Sequence, residues 1–328
     1  MNKQMEKRVY GVLGISSIMA NWNADFTGYP KTISDGTTFG SDKAFKYPMK
    51  KMWDNNGEKV LYIKSMKIST KKDKKQETTV LVPKSLKERY EQIFKVEDLK
   101  SCNDSREVIK NLFSAIDVKN FGATFAEEGV NLSITGAVQI GQGFNKYEDT
   151  CPQEQQILSP FRDASKDSKT DEKSEEGKAS TLGTKIVSDE AHYFYPFTIT
   201  PNAYKGYVEM GLTDGYTEDD YKKFKKTSLV AATSYATNSK VGCENEFALF
   251  VETNEDVYLP NLSEYITFEK GEEKNIISIT CDELLNDLED KIQSVEIYIN
   301  TYTTELEQNI KKSKIFNIFT EKEIKKEA

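Results

Sequence analysis

RVYGVLGIS, residues 8–16, is the stretch on which the fold turns: Val9, Leu13 and Ile15 share one face of an extended chain, and Tyr10 and Val12 share the other. A segment apolar on both sides reads as a buried strand. Beyond it, residues 21–40 are polar and rich in turn residues, with Gly28, Pro30, Gly36 and Gly40 as punctuation. Ser41 can cap a helix running to about Asn55. Phe45, Met49 and Met52 recur in it at helical spacing and should face the core. Pro48 predicts a kink or a restart within it.

Further out, residues 60–68 read as a second strand, 71–75 as a Lys-rich turn, and 79–82 as a segment that can pair back. Helical stretches follow near 85–94 and 105–116. The clearest strand is 130–140, where Val130, Leu132, Ile134, Val138 and Ile140 alternate with Asn131, Ser133, Thr135 and Gln139. Such alternation puts one face on a core and the other on solvent or a ligand. Residues 184–198 form another strand, with Tyr193, Tyr195 and Phe197 in alternation. Between these two lies a long insertion, 146–183. Its centre, 164–178, is mostly Ser, Lys, Asp and Glu without a large apolar residue, which predicts a mobile loop.

Thr217 caps a helix that opens on Glu218, Asp219 and Asp220, acids suited to a positive helix end. Tyr221, Phe224, Ser228, Ala231 and Tyr235 share one face to about residue 237. Residues 244–251 and 275–280 read as strands, 282–310 as helix, and the rest as a charged tail. Strand–helix–strand, given twice with large insertions, is the ferredoxin-like or RRM-like order. The expected class is α+β with an antiparallel sheet, an order many functions share.

Composition narrows the functions. With 328 residues, the chain suits one large domain with insertions, or two domains, and its 17 Tyr and 17 Phe can fill a substantial core. No apolar run approaches the roughly eighteen residues of a membrane span. Residues 1–8 lack the apolar region of a signal peptide, so a bacterial or archaeal cytoplasm is the expected setting. Cys102, Cys151, Cys243 and Cys281 are far apart, and His192 is the sole histidine. No metal and no cofactor are expected from such a set. Net charge is −8, yet residues 1–100 carry 20 Lys and Arg against 12 Asp and Glu, leaving a net −16 on the remainder. One anionic partner and one repelling surface would produce that asymmetry. Two unrelated solvated surfaces would produce it as well.

A nucleophilic triad would have to use His192, and a histidine in the strand context Ala191-His192-Tyr193-Phe194-Tyr195 reads as structural. Residues 136–143 (GAVQIGQG) are glycine-rich, but their alternation says strand, with the glycines serving close backbone packing. Lys43, Lys46 and Lys50 fall at i, i+3 and i+7, on one helix face opposite the core residues. Such a row is either a solvated face or a track for phosphates, which need cations and carry no sequence information. Asn21, Asn23, Lys31 and Thr32 just before it suit phosphate or sugar contacts, and Ser41 adds a hydroxyl at the helix start. A second row, Lys222, Lys223, Lys225 and Lys226, reads as a solvated face. The polar face of 131–139 lacks the aromatic pair by which an RRM stacks bases. RNA, if bound, would meet loops and insertions.

These stretches resemble a known family. Residues 8–15 (RVYGVLGI), 21–25 (NWNAD), 28–32 (GYPKT), 40–50 (GSDKAFKYPMK), 120–125 (NFGATF), 134–145 (ITGAVQIGQGFN), 182–185 (LGTK) and 242–247 (GCENEF) occur in the order found in the CRISPR Cascade backbone subunit, the Cas-seven superfamily, in its type I-B (Csh-two) form. Residues beyond about 270 carry little of the resemblance. It implies an RRM-like palm over 1–270 with a guide-contact loop at about 17–40, a helical finger region at about 69–118 and a thumb loop at about 146–183. A C-terminal strand and helix would follow over 271–328.

It also implies a non-catalytic protein of antiviral defence whose copies stack along a crRNA. The other partners it implies are the remaining Cascade subunits and, through the guide, target DNA. The guide-holding positions of the family fall on Asn21, Asn23, Lys31, Ser41, Lys43, Lys46 and Lys50. Leu182 falls on the position of a wedge between bases, where an unstacked step needs a filler; from its residues alone it reads as a loop anchor. Tyr29 stands where many relatives have a basic residue. Type III backbone subunits cut target RNA with a loop aspartate, so Asp25 or Asp35 of a metal-dependent ribonuclease is the rival reading, although neither has a carboxylate cluster around it in the sequence.

Overall fold

In the computed structural model, residues 4–73, 76–102, 104–162 and 179–324 are described. In chain order the elements are β1 (Arg8–Ala20), β2 (Phe39–Gly40), α1 (Asp42–Asn55), β3 (Met66–Asp73), β4 (Gln76–Pro83), α2 (Leu86–Phe94), α3 (Ser105–Phe113), α4 (Ile116–Phe121), β5 (Gly122–Glu127), β6 (Val130–Thr135), β7 (Val138–Ile140) and β8 (Gly143–Asn145). They continue with β9 (Pro152–Arg162), β10 (Ala179–Ile199), α5 (Lys205–Glu209), α6 (Glu218–Ser228), α7 (Ala231–Ser234), β11 (Cys243–Thr253), β12 (Ile266–Glu269), β13 (Asn275–Ile279), α8 (Asp282–Asp287), β14 (Ile292–Ile299), β15 (Thr304–Glu307) and β16 (Ser313–Asn317). The class is α+β, as the alternation of periods predicts.

The opening strand is the spine of the molecule. β1 lies between β10 and β11, antiparallel to both, with Leu13 opposite Tyr195 on one side and Ala248 on the other. The sheet runs β16-β14-β11-β1-β10-β8-β2, and β7 and β9 pair with other lengths of the 21-residue β10. Val9, Leu13 and Ile15 enter the larger core with Phe45, Met49 and Trp53 of α1 and Phe224 of α6. Tyr10 and Val12 enter a second core with Phe247, Leu249 and Ile297, which the small β12-β13-β15 sheet and α8 cover. The two-sided apolar pattern of residues 8–16 is thus explained: each face has its own core.

Several expectations need correction. Residues 60–65 are loop, with Val60, Leu61 and Ile63 buried, and the strand starts at Met66. Their backbone is satisfied by side chains, because Asp117 accepts from Leu61 N and Tyr62 N (both 2.8 Å) and Arg89 donates to Val60 O. The segment 130–140 is two strands that break at Gly136 and turn to different partners, β5 and β10. A Cβ at Gly136 would stand 2.2 Å from the Phe121 carbonyl carbon, so close backbone packing is what that glycine serves. α1 runs unbroken through Pro48, and its buried face is Phe45, Pro48, Met49 and Trp53, with Met52 only half-buried.

The helix expected to about residue 237 stops at Ser228 and resumes for one turn as α7. The helix expected over 282–310 is confined to Asp282–Asp287; β14 and β15 occupy the rest. Alternating, β-branched Val295, Ile297 and Ile299 bury one face in the second core, a period of two that fits a strand and not the expected helix. The mobile loop expected at 164–178 lies outside the described residues. The flanks of that insertion, β9 and the first half of β10, form an antiparallel arm.

Candidate nucleic-acid interface

The N-terminus of α1 is built by the loop before it. Ser41 caps the helix, its hydroxyl accepting from Ala44 N (3.3 Å). Ser41 N in turn donates to the Asn23 side-chain oxygen (2.8 Å). Lys31 N donates to Asn23 O and Phe39 N to Lys31 O, so Asn23, Lys31 and Ser41 are stitched into one unit. Asn21 is buried; its amide donates to Gly28 O (2.9 Å) and to Ile186 O of β10 (3.0 Å), while its side-chain oxygen is buried without a partner among the described residues. The ammonium of Lys240 closes the unit from behind by donating to the carbonyls of Asn21 and Trp22. Burial holds the Lys240 pKa below the ordinary lysine range. Asn21 and Lys240 therefore shape the loop, whereas Asn23, Lys31 and Ser41 are only partly covered.

Lys43, Lys46 and Lys50 do converge. Together with Asp42, Tyr47, Tyr62, Phe121, Thr124 and Ile134 they line a cleft of about 620 Å³ between α1 and the β5–β6 hairpin. Lys43 is exposed and has neither hydrogen bond nor ion pair among the described residues. Lys46 pairs with Asp42 (2.9 Å) one turn earlier. Lys50 is as covered as Lys46 and stands 3.8 Å from the fully buried carboxylate of Asp117. Burial lowers its pKa, and Asp117 offsets part of that. The same burial, with Asp117 nearby, pushes the Tyr62 hydroxyl up to about 12. The cleft thus offers one free cation, one held by a surface acid and one held by a buried acid. Tyr62 and Phe121 are the lining residues that lysine spacing did not reveal; in the sequence Tyr62 fell within the expected strand 60–68 and Phe121 within the family-like stretch 120–125.

Leu182 lies on β10 where its pairing with β9 shifts register between Thr181 and Gly183; its side chain is outside those described. The root of that arm touches the loop, since Asn21 reaches Ile186 and the Tyr29 hydroxyl donates to Glu154 of β9. Asp25 and Asp35 sit on exposed turns and cap them. Asp25 accepts from the Thr27 hydroxyl (2.7 Å), Thr27 N and Tyr29 N, and Asp35 accepts from Thr37 N, bonds that hold both pKa values low. No group of three or more potential metal ligands occurs among the described residues.

His192 has the structural setting its strand implied. It is buried, stacked on Phe268 at 3.7 Å, with Nδ1 2.8 Å from Glu246 and Nε2 3.0 Å from Glu190. Burial opposes its protonation, but the two carboxylates outweigh burial and the pKa is raised. The second lysine row is not a uniformly solvated face. Lys222, Lys223 and Lys226 are exposed, whereas Lys225 is half-buried, pairs with Glu296 and lies 4.9 Å from the Phe250 ring centroid.

The family profile described as CRISPR-associated protein Cas7 matches residues 7–313 of this chain. A comparison with curated proteins returns no match. Among solved structures, a chain from "CRISPR RNA-guided surveillance complex, pre-nicking" is similar over 94% of this chain and 96% of its own, at 12% identity and a TM-score of 0.55. A chain from "CRISPR RNA-guided surveillance complex" is similar over 90% and 91%, at 12% identity and a TM-score of 0.45. The first of these likenesses supports the fold.

Proposed function

The chain belongs to the CRISPR-associated Cas7 family, and from that premise we propose that it is the guide-binding backbone subunit of a type I-B Cascade complex, of the Csh-two kind. Several copies coat the crRNA spacer, leave its bases exposed for pairing with target DNA, and bind the other Cascade subunits. The protein does not itself catalyse a reaction. It grips sugar and phosphate, and base pairing supplies recognition, as in other RNA-guided systems.

The observation that carries this reading is the convergence of Lys43, Lys46 and Lys50 on one cleft, beside a loop already organised by Asn23 and Ser41. Cations in a row bind phosphates regardless of sequence, which is what a coat on variable guides requires. Asn21, Asn23, Lys31, Ser41 and the three lysines form the proposed guide track. An RRM-like palm is supported by the order β11-β1-β10 with β7 and β8 beyond, the last-first-third-second order of a ferredoxin-like sheet. On this view the finger region is 69–118, and the arm at 146–183 is the thumb, with Leu182 as its wedge. No helix is long and apolar enough to cross a membrane among the described residues, and a cytoplasmic ribonucleoprotein is the proposed setting.

The test is to purify the protein from its host and sequence the RNA that accompanies it. Short RNAs sharing a repeat-derived end are expected. Protein that carries no such RNA, and does not multimerise when one is supplied, refutes the proposal.

A further inference from the structure

Residues 120–125 have no part in the proposed grip on phosphates, yet Phe121 and the start of β5 form the wall that faces the lysine row. We propose that Tyr62 and Phe121 form an aromatic slot that stacks one nucleobase of single-stranded RNA while Lys43 and Lys46 hold the neighbouring phosphates. This rests on the guide-binding reading of the same cleft and adds to it a contact with a base.

The geometry around Lys50 points to the slot. Its ammonium lies 5.6 Å from the Tyr62 ring centroid and 5.8 Å from that of Phe121, and Lys46 lies 5.2 Å from Phe121. Both rings therefore turn toward the cleft, and long, rotatable side chains approach them there. Lysine ammonium groups and nucleobases use the same aromatic surface, and phosphates draw lysines to themselves.

The rings are also held in place. Tyr62 N donates to Asp117 (2.8 Å) and the Tyr62 hydroxyl donates to Thr124 O (2.6 Å), so the residue is anchored at its backbone and at the far end of its ring. Phe121 ends α4 and packs on Trp53, with centroids 5.7 Å apart. Rings fixed before binding lose little freedom on binding. The size is suitable too. From Lys43 to Lys50 the helix axis advances ~10.5 Å at ~1.5 Å per residue, the length of about three stacked nucleotides at ~3.4 Å each. The cleft volume of about 620 Å³ is in the usual range for a small-ligand pocket. The exposed positions of β6, Asn131, Ser133 and Thr135, carry no aromatic ring, so stacking on that strand face is not available.

The experiment uses the full chain and short single-stranded RNAs carrying 2-aminopurine at successive positions. Wild-type protein should quench the fluorescence of a bound base. Tyr62→Leu and Phe121→Leu should lose that quenching and bind about 5- to 140-fold more weakly, the range a lost base–aromatic stack gives. Tyr62→Phe and Phe121→Tyr keep a ring and should keep the quenching. Folded leucine variants that bind and quench like wild type, while Lys43→Ala with Lys46→Ala loses affinity, overturn the slot and leave the guide reading standing. Lysine variants with wild-type affinity at every salt concentration overturn the guide reading itself. Where a leucine variant fails to fold, photo-crosslinking of wild-type protein to 5-iodouridine RNA decides: crosslinks at Tyr62 or Phe121 support the slot, and crosslinks only elsewhere reject it.

Discussion

Replacing Lys43, Lys46 and Lys50 with Ala tests the cleft as a phosphate track, and the structure ranks the three. A cation that neutralises a phosphate on a single strand contributes about 0.7 to the slope of log affinity against log salt. Removing Lys43 and Lys46 together should flatten that slope by about 1.4, equivalent to roughly 25-fold weaker binding at 0.1 M salt. Lys43 has no partner among the described residues to give up, whereas Lys46 gives up its pair with the partly exposed Asp42 and its place over the Phe121 ring. Lys50 differs. Its side chain is as covered as that of Lys46, but its partner acid, Asp117, is fully buried. Lys50→Ala should therefore also destabilise the fold, by about 1–3 kcal/mol, because it leaves a buried carboxylate without its cation.

The assay is filter binding of several unrelated RNA sequences across a salt series, with melting temperatures measured in parallel. Equal losses on all sequences with a flatter slope are expected for Lys43→Ala with Lys46→Ala, at an unchanged melting temperature. An unchanged slope would refute the assignment of these lysines. A loss confined to one sequence would refute a grip on phosphate alone.

Asp117→Ala should be among the most damaging single changes near the cleft, costing about 3–5 kcal/mol, because Leu61 N and Tyr62 N lose their acceptor and Lys50 its counter-charge; denaturant melts will show it. Gly40→Ala should not fold normally, since a Cβ there would stand 1.7 Å from the Tyr195 hydroxyl oxygen, and loss of soluble protein or of the cooperative melt is the readout. His192 makes a pH prediction. Its folded-state pKa is raised, so its contribution to stability is fully present below the unfolded value of about 6.5 and is lost as pH rises through the folded value. Melting temperatures of wild type and His192→Gln should therefore differ most at acidic pH and approach one another as pH rises. A difference that grows with pH would refute the protonated pairing with Glu246 and Glu190.

The parts of the fold legible in the sequence are those where one local period decides. β1, α1 with its Ser41 cap and β11 each carry such a pattern, and each is found; the β3–β4 pairing is found too, although β3 begins at Met66. What was lost is where tertiary partners override the period. Residues 60–65 alternate like a strand but are held as loop by Asp117 and Arg89, which are distant in sequence. Residues 130–140 alternate continuously, yet Gly136 lets the backbone pass so close to Phe121 and Gly122 that the two halves join different sheets. No single-segment pattern encodes a change of partner. β14 shows the opposite error: 282–310 was read as helix, whereas Val295, Ile297 and Ile299 had the strand period all along.

The same division holds at the cleft. Helical spacing was enough to put Lys43, Lys46 and Lys50 on one face, because i, i+3 and i+7 share a face in any α-helix. It could not say what opposes that face. That depends on α4 and β5, about seventy residues later, bringing Phe121 and Thr124 across, and on Asp117 drawing Tyr62 into place. The acid that orders Tyr62 also holds Lys50 back from solvent, so charge and ring position in this cleft are set by one buried carboxylate. Spacing identifies which cations can act together. Burial and the partner acid decide how free each one is to act: Lys43 is exposed, whereas Lys46 and Lys50 are equally covered and differ in their acids, the partly exposed Asp42 and the fully buried Asp117.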